Sequence, residues 1–258
     1  MDRIEVNGVA LEFQRLEAGS GRPRAPLVFL HEGLGSVAMW RDWPAQLCLE
    51  TGRAGVAYSR RGYGKSDSVP DVRGKGRLTP DYMHREALEV LPALLSTLGL
   101  RSPVLLGHSD GGTIALLHAS HHPVTACVVM APHVIVEDIS VAAITQARDA
   151  YQAGGLRERL ARYHADVDGA FWQWNDIWLS AGFRNFDIRS ECRHIHAPVL
   201  ALQGLDDPYG SLRQIDEIGP TQGPAVELEK IPQCGHSPHK DQPGATLERI
   251  ARFLQPLA

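Results

Sequence analysis

The sequence predicts an α/β protein with a mostly parallel central sheet and helices on both faces. Two observations carry this. Short continuous apolar runs recur along the chain, and helical patterns lie between them. Strands that alternate with helices pair in parallel, because each crossover returns the chain to the same edge of the sheet.

The elements follow in order. Ile4-Glu5-Val6 and Val9 to Phe13 flank Asn7-Gly8, a hairpin signal. Pro26 to Leu30 is apolar throughout, which suits a strand buried on both faces. Similar runs follow at Gly55–Tyr58, Val104–Leu106, Ala126–Met130 and Val199–Leu202. Val226 to Ile231 alternates, as a strand nearer the edge does. Helical patterns span about 41–50, 82–98, 111–121, 211–218 and 243–254, with Pro92 predicting a kink or break in the second. The interval 137–195 holds helical segments but no convincing strand. It reads as a helical insertion over the active edge of a core made from 1–136 and 196–258. Phe171, Trp174 and Trp178 fall on one face of a helix within it. That face either anchors the insertion to the core or lines a substrate pocket.

Bulk properties narrow the function. At 258 residues, with 43% hydrophobic and 22% charged residues, the chain is long enough for one large α/β domain. Net charge is −4 and basic residues are scattered, so nucleic acid is not an expected partner. Cys48, Cys127, Cys192 and Cys234 form no C-x-x-C pair, and a disulfide framework is not expected at this size and spacing. The start, Met1 to Glu5, lacks a charged-then-apolar signal layout, and no run approaches the roughly 18 apolar residues of a membrane span. The expectation is a cytoplasmic protein without membrane association.

The chemistry is signalled at residues 107–111, Gly107-His108-Ser109-Asp110-Gly111. A bare G-x-S-x-G arises by chance in roughly one chain of this length in ten, given glycine at about 7% of residues. Here an apolar strand precedes it and a helical stretch from Gly112 to Ala119 follows. Strand, sharp turn and helix lift a serine hydroxyl above the sheet edge. A hydroxyl needs an adjacent base, and the base an orienting group. Both are available after later strands, in Gly204-Leu205-Asp206-Asp207-Pro208 and in Cys234-Gly235-His236-Ser237-Pro238-His239. Chemistry alone does not separate Asp206 from Asp207. His239, His108 and His31 compete with His236. The histidines at 118, 121, 122, 194 and 196 have no further ligands at metal-site spacing, so no metal is expected.

These segments resemble the α/β-hydrolase superfamily over essentially the whole chain. The matching stretches are His31 to Ser36, Arg61 to Ser66, Gly107 to Gly111, Gly204 to Pro208, and Gly235-His236. The resemblance implies an α/β-hydrolase fold with residues 137–195 as a helical cap. It implies Ser109 as nucleophile, His236 as base and Asp207 as acid, with His31 bracing the oxyanion loop. The oxyanion donors are expected to be the N–H groups of Gly33 and Asp110. The family reads His-Gly-x where this chain has His31-Glu32-Gly33, so Glu32 stands in a glycine's place. Glu32 either forms a loop ion pair with Arg60 or Arg61 or shapes substrate choice. The Asp110 carboxylate, in the first helical turn, also has a purely helix-stabilising reading. Tyr63, Phe171, Trp174 and Trp178 are the other expected substrate contacts.

The function implied is a cofactor-free serine hydrolase of small or medium apolar or aromatic carboxylic esters. Carbon–carbon bond, enol-lactone and thioester hydrolases, and proline-releasing aminopeptidases, share the triad. The last need acidic residues for an ammonium group, for which Glu32, Glu137 and Asp138 are candidates. A non-catalytic ligand receptor on this scaffold is a third class; multiple turnover separates it.

Overall fold

The computed structural model describes residues 2–18 and 24–257. Met1, residues 19–23 and Ala258 of the expected core lie outside the described residues. The strands are β1 (Asp2–Val6), β2 (Val9–Leu16), β3 (Leu27–Leu30), β4 (Gly55–Tyr58), β5 (Val104–His108), β6 (Ala126–Met130), β7 (Val199–Gly204) and β8 (Glu227–Ile231). They form one eight-stranded sheet in the order β1-β2-β4-β3-β5-β6-β7-β8. The β1–β2 and β2–β4 pairs are antiparallel and every later pair is parallel. The β1–β2 hairpin turns at Asn7-Gly8, both with positive φ, as its sequence signal requires. β8 is an exposed edge, in keeping with its alternating pattern.

The helices are α1 (Trp43–Thr51), α2 (Tyr82–Arg85), α3 (Leu91–Leu98), α4 (Asp110–Ala119), α5 (Asp138–Gln152), α6 (Gly155–Leu160), α7 (Val167–Trp178), α8 (Arg189–Cys192), α9 (Arg213–Asp216), α10 (Pro238–Asp241) and α11 (Pro243–Leu254). The pattern over 82–98 predicts one helix with a kink. It is instead α2 and α3 joined by a π-helical turn at Glu86–Val90. Pro92, in the first turn of α3, offers no N–H to the preceding turn, which widens instead. The pattern over 211–218 yields only the single turn of α9.

Alternate residues of the buried strands supply two cores. Val28, Leu30, Leu105, Val129 and Ala201 pack with α4 and with residues of α5 and α7. Leu27, Phe29, Leu106, Val128 and Leu202 pack on the other face with Trp43 and Leu47 of α1 and Ile250 of α11. Each fully buried aliphatic side chain contributes roughly 1.5–3 kcal/mol. All ten residues of α4 are buried, which makes it a rigid post beneath the turn at Ser109. Between β6 and β7 the chain is helical from α5 to α8, apart from one bridge between Ile135 and Asp187. All four cysteines are buried free thiols.

Candidate active site

The loops after β3, β5, β7 and β8 all leave the C-terminal edge of the sheet, where open α/β sheets collect their chemistry. Ser109 stands between β5 and α4 with φ 53° and ψ −119°, a conformation strained for a side-chain-bearing residue. Packing enforces it. A Cβ on Gly107 would lie 2.1 Å from the Gly111 carbonyl oxygen, and one on Gly111 would lie 2.0 Å from that of Leu30. Only glycines let the turn close this tightly.

The structure brings Ser109, His236 and Asp207 together. His236 Nε2 lies 2.9 Å from Ser109 Oγ. His236 Nδ1 lies 3.0 and 2.9 Å from the two Asp207 carboxylate oxygens. A carboxylate accepts only, so Nδ1 carries the proton and Nε2 is left to accept from the serine hydroxyl. Asp207 also accepts from the Tyr209 N–H at 2.8 Å and the Gln203 amide at 2.5 Å. Burial pushes the Asp207 carboxyl up, but the His236 hydrogen bond and charge outweigh it and hold the group below its ordinary range. Asp206 is exposed, so the two neighbours that sequence chemistry left equivalent are separated by position. Of the competing histidines, His108 donates from Nε2 to the His236 carbonyl at 2.7 Å and ties down the loop that carries His236. His239 packs 4.7 Å from Trp40, ring centre to ring centre.

His31 lies outside the chain from Ser109 through His236 to Asp207. Its Nδ1–H donates to the Glu32 carbonyl at 2.7 Å, and its Nε2 accepts from the Arg60 N–H at 3.0 Å. Burial first, then the Arg60 charge, hold its pKa well below the usual histidine range, so the ring is neutral. The Arg60 guanidinium adds hydrogen bonds to the His31 and Glu32 carbonyls at 2.6 and 3.1 Å. The loop after β3 is thereby fastened to the loop after β4.

A cavity of about 210 Å³ opens over Ser109. Glu32, Gly33, Asp110, Trp174 and Trp178 line it with Ser109 and His236. Asp110 is the first residue of α4, so its N–H has no carbonyl partner one turn earlier. Gly33 packs under the Trp174 indole, where a Cβ would lie 2.2 Å from Nε1. The Glu32 carboxylate reaches Lys240 at 3.2 Å and faces His108 at 3.5 Å. Its ion-pair partner is therefore Lys240. Arg60 touches only the Glu32 main chain, and Arg61 is exposed. Burial raises the Glu32 pKa, but Lys240 and His108 more than offset it.

Two expected substrate contacts lie elsewhere. Phe171 stacks on Tyr151 of α5 at 3.6 Å, a contact between helices and not with the cavity. It shares a helical face with Trp174 and Trp178, but it lies at the far end of that face. Tyr63 packs 5.2 Å from His31 and under Arg60, below the loops. The Asp110 carboxyl is not a solvated first-turn charge. It is 1% exposed, accepts from the Tyr82 hydroxyl at 2.7 Å and lies 3.8 Å from Arg60. Burial raises its pKa against the pull of Arg60.

Sequence reasoning missed Gln203, Tyr209, His133 and Tyr82. Gln203 carries a signal, a polar residue at the end of an otherwise apolar strand. His133 lies 4.9 Å from Trp178 and 5.7 Å from His236, and burial lowers its pKa to about 4. Among the described residues, no three His, Cys, Asp or Glu side chains are grouped to hold a metal ion, and no helix is long and apolar enough to cross a membrane.

Fold and site together define a class: a largely parallel sheet whose C-terminal edge joins a serine on a strained turn to a histidine and a buried carboxylate. The chain belongs to the alpha/beta hydrolase family, whose model matches residues 27–249. It is similar to the sn-1-specific diacylglycerol lipase ABHD11 of Danio rerio, with 28% identity over 90% of this chain and 78% of the lipase. It is also similar to a proline iminopeptidase of Levilactobacillus brevis, with 25% identity over 90% of this chain and 89% of the peptidase. In fold it is similar to the enol-lactonase from Burkholderia xenovorans LB400, with a TM-score of 0.74 and 18% identity over 98% of this chain and 99% of that one. The protein is a hydrolase with the family's eight-stranded fold.

Proposed function

We propose that the protein is a cofactor-independent serine hydrolase that cleaves carboxylic esters of small to medium apolar or aromatic acids through an acyl-enzyme, acting in the cytoplasm. The observation that carries the reading is the unbroken hydrogen-bond chain from Ser109 through His236 to Asp207. Ser109 Oγ attacks the carbonyl carbon while His236 Nε2 takes its proton. The imidazolium that forms is stabilised by Asp207, which stays ionised. The carbonyl oxygen becomes an oxyanion facing the N–H groups of Gly33 and Asp110, each worth about 3–4 kcal/mol of barrier. His236 then protonates the departing alcohol, and a water activated by the same imidazole releases the acid.

The helices from 137 to 195 act as the cap. Trp174, Trp178, Leu34 and Ile144 give the cavity an apolar wall, and its small volume favours short or single-ring acyl groups. An aminopeptidase needs a free carboxylate near the nucleophile. Glu32 is already engaged by Lys240, Glu137 is held by Ser211 and Gln214, and Asp138 is exposed beside Arg184. The site therefore favours an ester over an aminoacyl amide.

The test is labelling with a p-nitrophenyl phosphonate followed by peptide mass mapping. One adduct on Ser109, abolished in Ser109→Ala, is expected. An adduct elsewhere, or unchanged turnover of nitrophenyl esters by Ser109→Ala, removes the reading. A panel of esters, thioesters, enol-lactones and aminoacyl amides then ranks the bond types.

A further inference from the structure

Two buried charged groups take no part in the proton transfers described above, and each stands beside one of the two oxyanion donors. Asp110 follows Ser109 directly and is 1% exposed. Its N–H is one donor, while its carboxylate accepts from the Tyr82 hydroxyl at 2.7 Å and lies 3.8 Å from the Arg60 guanidinium. Arg60 is 5% exposed. It donates to the carbonyls of His31 and Glu32 at 2.6 and 3.1 Å, the two residues that precede Gly33, whose N–H is the other donor. One guanidinium therefore meets both segments that present the donors.

The same groups form part of a partition. A second cavity, about 500 Å³ in volume, shares no lining residue with the cavity over Ser109. Helix α7 separates them: Trp174 and Trp178 line the first and Gln173 the second. Arg60 and Tyr82 line the second cavity, whereas Asp110 lines the first. The polar contacts cross between them. The Trp178 indole N–H donates to the Tyr82 hydroxyl at 3.1 Å, and Tyr82 donates to Asp110. A continuous path thus runs from the wall of the substrate cavity to the oxyanion donors.

A buried ion pair adds little to stability, because desolvation of both charges offsets their attraction. It does impose geometry, since the planar guanidinium presents its N–H groups in set directions. Geometry is what this position demands. Ser109 holds a strained φ of 53°, and such a residue persists only where its surroundings over-determine it. With the Asp110 side chain anchored, the turn relaxes only by breaking buried polar contacts.

We infer that Arg60 and the Asp110 carboxylate are positioning residues for the hydrolysis proposed above: they hold the Gly33 and Asp110 N–H groups at the spacing a tetrahedral oxyanion needs, and Tyr82 ties them to the substrate wall. The inference rests on the serine-hydrolase reading. Loss of this tie is felt where charge develops on the carbonyl oxygen and not in ground-state binding.

The test compares two inhibitors of one shape. Benzyl trifluoromethyl ketone accepts Ser109 Oγ at its carbonyl carbon; the carbonyl π pair moves to oxygen as an oxyanion and the serine proton passes to His236. Benzyl methyl ketone binds unreacted. Arg60→Lys keeps the charge but loses the planar fork, and Tyr82→Phe removes one hydroxyl. In both variants Ki for the fluorinated ketone rises about tenfold and kcat for p-nitrophenyl butyrate, per site titrated with the phosphonate, falls about tenfold. KM and Ki for the methyl ketone stay within about twofold. A merely structural role instead lowers the melting temperature and moves both ketones alike. Tyr82→Phe decides alone should Arg60→Lys not fold. Fluorinated-ketone affinity within about twofold of the parent in either folded variant, or both ketones weakened alike, overturns the inference. Absence of a phosphonate adduct on Ser109 of the parent removes the serine-hydrolase reading and the inference with it, so the two failures are distinguishable.

Discussion

The two cavities on either side of α7 share no lining residue, and among the described residues only the one over Ser109 holds a hydrogen-bonded chain of hydroxyl, imidazole and carboxylate. Over Ser109, the hydroxyl, imidazole and carboxylate are chained, and Asp207 accepts from His236, Tyr209 and Gln203. Across the helix, Lys75 and Arg77 are exposed to solvent, and the cavity holds no comparable chain among the described residues. A satisfied network holds its groups in one geometry, which is what covalent chemistry needs. One helix thus borders the chained polar groups on one side and a separate cavity on the other.

The comparison can be broken most sharply at Asp207. Asp207→Asn leaves the shape but lets the imidazole take the wrong tautomer, and kcat for a nitrophenyl ester is expected to fall about 10⁴-fold. Asp206→Asn, one residue away and exposed, is expected to change it by less than about twofold. Equal losses in the two variants would mean that the hydrogen-bond chain is not the reacting one.

Phe171→Ala probes the partition itself. The ring is fully buried and stacked on Tyr151, so the variant is expected to lose about 3–5 kcal/mol of stability in denaturant unfolding. KM for small esters should move little. A large KM change with no loss of stability would return Phe171 to the substrate pocket.

Acid should loosen the catalytic side. Burial lowers the pKa of His133 to about 4 and that of His118, in the last turn of α4, also to about 4. Both are neutral when folded and bind protons more readily when unfolded. Their contribution is therefore present above pH 6.5 and is lost as pH falls from there towards 4, by about 3 kcal/mol each. Thermal unfolding across that window checks the sign; constant or rising stability would contradict it.

Gly33→Ala is expected to cost less than Asp207→Asn. Its Cβ must displace the Trp174 indole and shift the loop after β3. A fall of about 10²-fold in kcat is expected, the loss of one oxyanion donor.

The sheet was legible because buried parallel strands are apolar on both faces, so β3 to β7 stand out as runs against helical patterns. The turn at Ser109 was legible because its glycines are required by contacts as short as 2.0 Å, which leave no other residue type. Resemblance chose Asp207 over Asp206, whereas the physical reason, burial against Gln203 and Tyr209, needed coordinates. Helical periodicity put Phe171 beside Trp174 and Trp178, but a face says nothing about which neighbour each part of it meets. The Lys240 partner of Glu32 lies 208 residues away, a distance over which sequence pattern carries no pairing information. The second cavity is built from five separated stretches, which no sequence pattern links.

The central claim, covalent catalysis by Ser109, is tested most directly by quenching the enzyme in acid during turnover of a nitrophenyl ester and weighing it. The account predicts a transient mass gain equal to the acyl group, mapped to the peptide containing Ser109 and missing from Ser109→Ala. Full turnover with no acylated protein at any time, or acylation at another residue, would contradict it.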